Sequence, residues 1–341
     1  MKLKRDPGNP VLAPDPAHPW ESLVTTNPGA WFDEDRQEVL LLYRACDDDS
    51  GHRIGLGLAV SKDGRSFTRV SDAPVFAPSK EGFDAGCVED PRLVKIGDWY
   101  VFTYACRAFP PGQYWKSSAD RKYEFPGTPS FFPLALRENK TMTGLAFTRD
   151  FRTFIRAGRI TDPRLDDRDC YLFPEQIGGK WWRIHRPAEW VGAAYGNLSA
   201  PAMWIGSSTD LLAWGESQIL IRPKFDWEGN RIGGNTPPLR TEAGWLTLYH
   251  GKGDDDNYRL GALLLDLDDP VRVIGRTKDW ILQPEASYET DGCYQGGVVF
   301  PCGKVVIDGV LHVYYGAADK YVGLATCALD ALLDELVQTG P

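Results

Sequence analysis

The sequence predicts an all-β fold, a five-bladed β-propeller with a short C-terminal helix, and three observations predict it. A strand rich in aromatic residues followed by a strand of small apolar residues recurs five times along the 341 residues. Aspartate-containing turns follow the small-residue strand in the first four copies. Only one segment, residues 328–336 near the C-terminus, has a helical pattern.

The elements follow in order. Copy one comprises residues 39–44, then 54–61, the turn Lys62-Asp63-Gly64 and residues 67–69; Asp-Gly between two strand patterns is a strong hairpin signal. Copy two opens after Glu89-Asp90-Pro91-Arg92. Proline fixes its own φ and disfavours helical backbone in the residue before it, so Asp90 is expected in an extended conformation at the mouth of the strand at 93–96. The copy continues through 99–104, 143–148, the turn Arg149-Asp150 and 154–156. Copy three runs through 181–186, 202–208, a turn near Asp210 and Trp214. Copy four comprises 245–250, 258–265, the turn Asp268-Asp269-Pro270 and 271–274, and copy five 311–316 and 321–326. Intervals of roughly 60 to 80 residues fit four-stranded blades with long connections. Two packed sandwiches are the alternative, disfavoured because their strand order is irregular. Residues 1–341 are therefore read as one domain, with a lid inserted at about 109–139, where prolines, aromatics and charges interrupt copy two.

Composition narrows the function. With 38 Lys and Arg against 47 Asp and Glu the net charge is −9, which argues against a nucleic acid or an anionic membrane as partner and leaves room for a local anion site. Twelve Trp and 14 Tyr serve packing first and sugar stacking second. Seven scattered cysteines without a CxxC pair suggest buried thiols, neither a disulfide framework nor a metal site. The basic N-terminus is followed by no apolar stretch, and no 18-residue apolar run occurs, so a soluble, cytoplasmic protein is expected.

In a propeller the polar ends of the inner strands converge on the axis. Residues expected there are Asn27, Arg44, Asp90, Arg92, Arg107, His185, Arg186, Arg231, Tyr249, His250 and Asp319. Each has a bland reading too: Arg44 and Arg92 as strand ion pairs, His250 as a core histidine, Asp319 as a turn cap. Glu89 is either a second acid or the partner that holds Arg92 and tunes Asp90.

These residues, together with Gly8-Asn9-Pro10, Asn27-Pro28-Gly29, Phe173-Pro174-Glu175, His185-Arg186-Pro187, Tyr249-His250-Gly251 and Tyr315-Gly316-Ala317-Ala318-Asp319, resemble glycoside hydrolase family 130 over nearly the whole chain. The resemblance implies β-mannoside phosphorylases and β-mannosidases on a five-bladed propeller. It implies Asp90 as general acid and Asn27, Arg44 and Asp319 as ligands of the mannosyl ring. The resemblance implies that hydrolytic members carry a glutamate where this chain has His185-Arg186-Pro187, another just before Pro237-Pro238, and an asparagine in place of His250, and a guanidinium or an imidazole suits a phosphate dianion better than it suits activation of water. The expectation is an inverting β-mannoside phosphorylase that yields α-mannose 1-phosphate. Inorganic phosphate is the co-substrate, with no other cofactor, and is held by Arg107, His185, Arg186, Arg231, Tyr249 and His250. The sugar substrate is held by Asn27, Arg44, Glu89, Arg92, Tyr114, Trp115 and Asp319, and the acceptor side by Tyr114, Trp115 and Phe131 of the lid or, in a homo-oligomer, by a neighbouring subunit. The alternative is a β-mannosidase with Glu189 or Glu175 as base. An arabinanase-type furanosidase would need an aspartate where Asn27 stands, and a non-catalytic sugar-binding propeller would not need Asp90.

Overall fold

In the computed structural model, which describes residues 1–294 and 296–341, the chain winds five antiparallel sheets around one axis. Blade 1 contains Val24–Asp33, Glu38–Cys46, Gly55–Ser61 and Thr68–Arg69, from the inner strand outward. Blade 2 contains Cys87–Ile96, Trp99–Arg107, Met142–Thr148 and Phe154–Arg159, and blade 3 Asp167–Leu172, Trp181–Pro187, Met203–Ser208 and Trp214–Ile221. Blade 4 is built from Arg231–Gly234, Gly244–Lys252, Tyr258–Leu265 and Val273–Arg276, with Leu239–Thr241 pairing beside the inner strand. Blade 5 takes Val299–Ile307, Val310–Ala317 and Tyr321–Ala328, and its outer strand is Lys4–Arg5 from the other end of the chain, with Lys4 opposite Thr326. The sequence repeat is thus the second and third strand of each blade with the turn that follows. The helix Leu329–Thr339 buries Leu332 and Leu336 against blades 4 and 5.

A recurring polar cluster explains the aromatic-then-small pattern. On the second strand of four blades a buried tyrosine lies across a glycine of the third: Tyr43 opposite Gly57, Tyr104 opposite Gly144, Tyr249 opposite Gly261 and Tyr315 opposite Gly323. Any Cβ on those glycines would overlap the ring. Each tyrosine hydroxyl donates to a carboxylate that precedes the inner strand, and an arginine of the outer strand pairs with the same carboxylate. The sets are Tyr43–Glu21–Arg69, Tyr104–Asp84–Arg156, Tyr249–Glu228–Arg276 and Tyr315–Glu289–Arg5. A buried phenol and a buried carboxylate need partners, and each set supplies them internally while tying inner, second and outer strands together. In blade 3, His185 opposite Trp204 occupies the tyrosine–glycine position.

The inner strands share a second device. The pairing register shifts between Thr26 and Gly29, between Glu89 and Arg92 and between Arg168 and Tyr171, so each of these strands carries a bulge. The residue inside it has left-handed backbone: Asn27 (φ 44°), Asp90 (φ 52°) and Asp169 (φ 54°). This corrects the extended conformation expected for Asp90. The bulge dictates the turn, and asparagine and aspartate tolerate left-handed backbone better than most residues. All seven cysteines are buried and free. No helix among the described residues is long and apolar enough to cross a membrane.

Candidate active site

A cavity of about 300 Å³ lies where the bulged inner strands converge. A strand sends successive side chains to opposite faces, but a bulge lets two neighbours turn the same way. Glu89 with Asp90, and Arg168 with Asp169, therefore line the cavity as pairs. From the second strands come Arg44, Arg107, Arg186 and His250, from the last blade Phe300 and Asp319, and from the lid Pro111 and Tyr114.

The wall has two chemically different halves. On one, Asp90 Oδ1 accepts from Asn27 Nδ2 (2.8 Å) and lies 3.3 Å from Arg44 Nη1. The same Nη1 meets Glu89 at 3.1 Å, and Arg44 Nη2 donates to the hydroxyl of Tyr114 (3.0 Å), which donates to Asp319 (3.1 Å). One guanidinium thus serves three carboxyl groups. Burial leads in pushing Glu89 above the usual carboxylate range, opposed by Arg44 and reinforced by Asp90; burial also raises Asp319, again against Arg44. Glu89 and Asp319 thus hold their protons more firmly than ordinary carboxyl groups.

The other half is basic. Arg186 Nε donates to Asp169 Oδ2 (2.6 Å), and Arg92 Nη2 reaches Asp169 Oδ1 (3.2 Å) from behind the wall. Burial would raise the Asp169 carboxyl, but Arg186, His250 and Arg92 outweigh it and hold it far below the usual range, so it is a poor base and a firm anchor for the arginines. Arg168 is paired with Asp166 through Nε (2.7 Å) and Nη2 (2.5 Å). Arg107 donates to the Asn139 carbonyl and Arg231 to Asn230 Oδ1 (3.1 Å); among the described residues neither forms an ion pair with a carboxylate. His250 Nδ1 lies 3.1 Å from Asn235 Oδ1, while its Nε2 is buried with no hydrogen-bond partner. Burial, opposed by Asp169 and helped by Arg186, lowers His250 to about 3, so the imidazole is neutral near pH 7.

Ten of the fourteen residues singled out from the sequence meet in this cavity: Asn27, Arg44, Glu89, Asp90, Arg107, Tyr114, Arg186, Arg231, His250 and Asp319. Four do not, and strand alternation accounts for two of them. In the pairs His185-Arg186 and Tyr249-His250 only the second residue can face the cavity; His185 is held by Asp167 and Ser217, and Tyr249 by Glu228 and Arg276. Arg92 lies behind the wall, donating to the Asp90 carbonyl (2.9 Å) and to the Asn235 carbonyl (3.1 Å). Trp115 turns away from the cavity and packs edge-on against His52, with ring centroids 4.4 Å apart. Phe131 of the lid stands exposed. Glu175 pairs with Arg240 at the surface and Glu189 with Lys140, and neither lines the cavity. The sequence reading missed Arg168 and Asp169. Their signal was the alignment of Thr26-Asn27, Glu89-Asp90 and Arg168-Asp169 as one bulge on successive inner strands.

Over residues 2–129 and 134–338 the chain matches the profile of a family described as beta-1,4-mannooligosaccharide phosphorylase. It is 35% identical over 333 residues to a 1,2-beta-oligomannan phosphorylase of Thermoanaerobacter sp. (strain X514), covering 95% of this chain and 97% of the relative. It is also 35% identical over 281 residues to a beta-1,2-mannobiose phosphorylase of Listeria innocua, covering 82% of this chain and 68% of the relative. A solved structure of a beta-1,2-mannobiose phosphorylase from Listeria innocua, in complex with beta-1,2-mannobiose, superimposes with a TM-score of 0.77 at 30% identity, covering 98% of this chain and 99% of that one.

Proposed function

The chain belongs to glycoside hydrolase family 130, and we propose that it is an inverting β-mannoside phosphorylase, with β-1,2-linked manno-oligosaccharides as the first substrates to test. The observation that carries this reading is the division of the cavity wall: three carboxyl groups gathered around Arg44 and Tyr114 face arginines of which two, Arg107 and Arg231, have no carboxylate partner among the described residues. Unbalanced guanidinium charge suits a phosphate dianion. Activation of water would need a basic carboxylate on that side, and the one present, Asp169, is saturated by Arg92 and Arg186.

In this reading Asn27, Arg44 and Asp319 bind the mannosyl ring, and Asp90 sends a proton toward the glycosidic oxygen. A phosphate oxygen, aligned by Arg107, Arg168, Arg186, Arg231 and His250, attacks the anomeric carbon from the opposite face. The bond to the leaving sugar breaks as that sugar takes up the proton, leaving α-mannose 1-phosphate. The 341 residues act as one catalytic domain, with residues 109–139 as a lid that lowers Tyr114 onto the site.

The test is β-1,2-mannobiose incubated with and without inorganic phosphate. Consumption of phosphate with release of α-mannose 1-phosphate is expected, and free mannose released at the same rate without phosphate would overturn the reading. Asp90→Asn is expected to keep sugar binding and to lose a factor of about 10² to 10⁴ in turnover; undiminished turnover would remove Asp90 as the acid.

A further inference from the structure

Four blades fill one position in the same inert way, with a tyrosine over a glycine and its hydroxyl locked between a carboxylate and an arginine. Blade 3 keeps a carboxylate, now Asp167 of the inner strand itself, and replaces the other three parts. His185 takes the tyrosine's place, Trp204 the glycine's, and a serine of the outer strand, Ser217, is the partner where the other blades use arginine. His185 Nδ1 is 2.8 Å from Asp167 Oδ2 and 3.0 Å from Oδ1, and His185 Nε2 is 2.8 Å from Ser217 Oγ. With a proton on Nδ1 donated to the carboxylate, Nε2 is left as the acceptor for the serine hydroxyl.

All three side chains line a cavity of about 740 Å³ on blade 3, whose lining shares no residue with the axial site. Trp190 and Trp214 give it apolar surface, and Arg183 lies in it with a buried Nε that has no hydrogen-bond partner. Arg183, Gly206 and Ser217 stand in register across three adjacent strands. Gly206 matters here because a Cβ would come within 2.5 Å of Ser217 Oγ. The hydroxyl lies over the bare backbone, next to the imidazole.

We propose that Ser217, His185 and Asp167 form a second catalytic site, one that hydrolyses small carboxylic esters. Serine next to a base that is itself oriented by a carboxylate is the arrangement that activates a hydroxyl for acyl transfer, and it is recognised by geometry rather than by chain order. Ser217 Oγ forms a bond to the ester carbonyl carbon while its proton moves to His185 Nε2. The carbon–oxygen bond to the alcohol breaks, and the alcohol departs with that proton. Water then attacks the acyl-serine, giving a proton to Nε2 and releasing the carboxylic acid, and Ser217 recovers its hydrogen from the imidazole. Burial lowers the His185 imidazole, against the pull of Asp167, which keeps it neutral and able to accept a proton near pH 7.

The experiment treats the full chain with a fluorophosphonate probe, maps the adduct by peptide mass spectrometry, and follows p-nitrophenyl acetate hydrolysis in parallel. The expected result is a stoichiometric adduct on Ser217 and a fall of about 100-fold or more in ester hydrolysis in Ser217→Ala, with its thermal midpoint unchanged as evidence of folding. Asp167→Asn, which keeps the side-chain volume, is expected to slow labelling about 100-fold. An unlabelled Ser217, or an ester hydrolysis rate equal in wild type and Ser217→Ala, would show that the hydrogen-bonded chain is only a packing solution.

Discussion

Gly316 shows how a residue that bears no chemistry sets the geometry of the acid. It occupies, on blade 5, the cavity-facing place that Arg44, Arg186 and His250 hold on theirs, and a Cβ there would collide with Asn27 Oδ1. Asn27 in turn fixes Asp90 through its 2.8 Å hydrogen bond. Gly316→Ala should therefore push Asn27 off Asp90 and lower kcat by about tenfold or more, since small misplacements of catalytic groups are costly. Steady-state kinetics would register the loss in kcat, and a loss confined to KM would contradict this route of action.

The strand is the scale at which the sequence was most and least readable. Second and third strands stood out because the tyrosine-over-glycine pairing leaves a local pattern in each. Gly144→Ala, which places a methyl group inside the Tyr104 ring, is expected to destabilise the fold by about 1–3 kcal/mol, measurable as a lowered denaturation midpoint with an unchanged denaturant slope. Inner strands were harder to read, because in blades 1 to 3 a bulge interrupts alternation just where the functional residues sit. That is why Asp90, announced by its proline, was legible while Arg168 and Asp169, which lack one, were not. His185 and Tyr249 were misplaced for the converse reason: each adjoins a true cavity residue, and motif reasoning that takes both ignores that a regular strand can present only one of the two. The contacts of Trp115 and the plain surface pairing of Glu175 depend on how the lid and loops lie against distant blades, which no local pattern encodes.

At the scale of the whole molecule, stability depends on buried groups whose charge the ring cannot solvate. Burial lowers His52 to about 3, and burial together with Arg186 lowers His250 to about 3, against an ordinary histidine value of about 6.5. Both are neutral in the native state at pH 5, whereas the unfolded chain binds a proton at each. Their contribution is complete above about pH 6.5 and is lost as the pH falls toward 3, with about two protons taken up on unfolding, a slope of about 2.7 kcal/mol per pH unit. Urea denaturation between pH 7 and pH 5 should show this decline; a flat profile would mean that the two imidazoles are solvated in the native state. Arg5 is the other point of leverage. It donates to fully buried Glu289 from the strand that completes blade 5, through Nε (2.8 Å) and Nη2 (2.9 Å). Arg5→Ala should cost about 3 kcal/mol, because it leaves a buried carboxylate without its countercharge, and calorimetry would register it as a lowered Tm.

Lys4 and Arg5 also impose an order on how the protein is made. Their pairing partners, Thr326 and Ala325, are made only after the other four blades, so the ring stays open until the third strand of blade 5 has left the ribosome. Local blades can assemble as they are made, whereas this long-range seam must wait for the third strand of blade 5. A nascent chain stalled before residue 325 would expose the uncompleted edge to a neighbour's strand. Ribosome pausing between blade 4 and residue 325 is thus a more direct route to aggregation for this protein than pausing within the first blade.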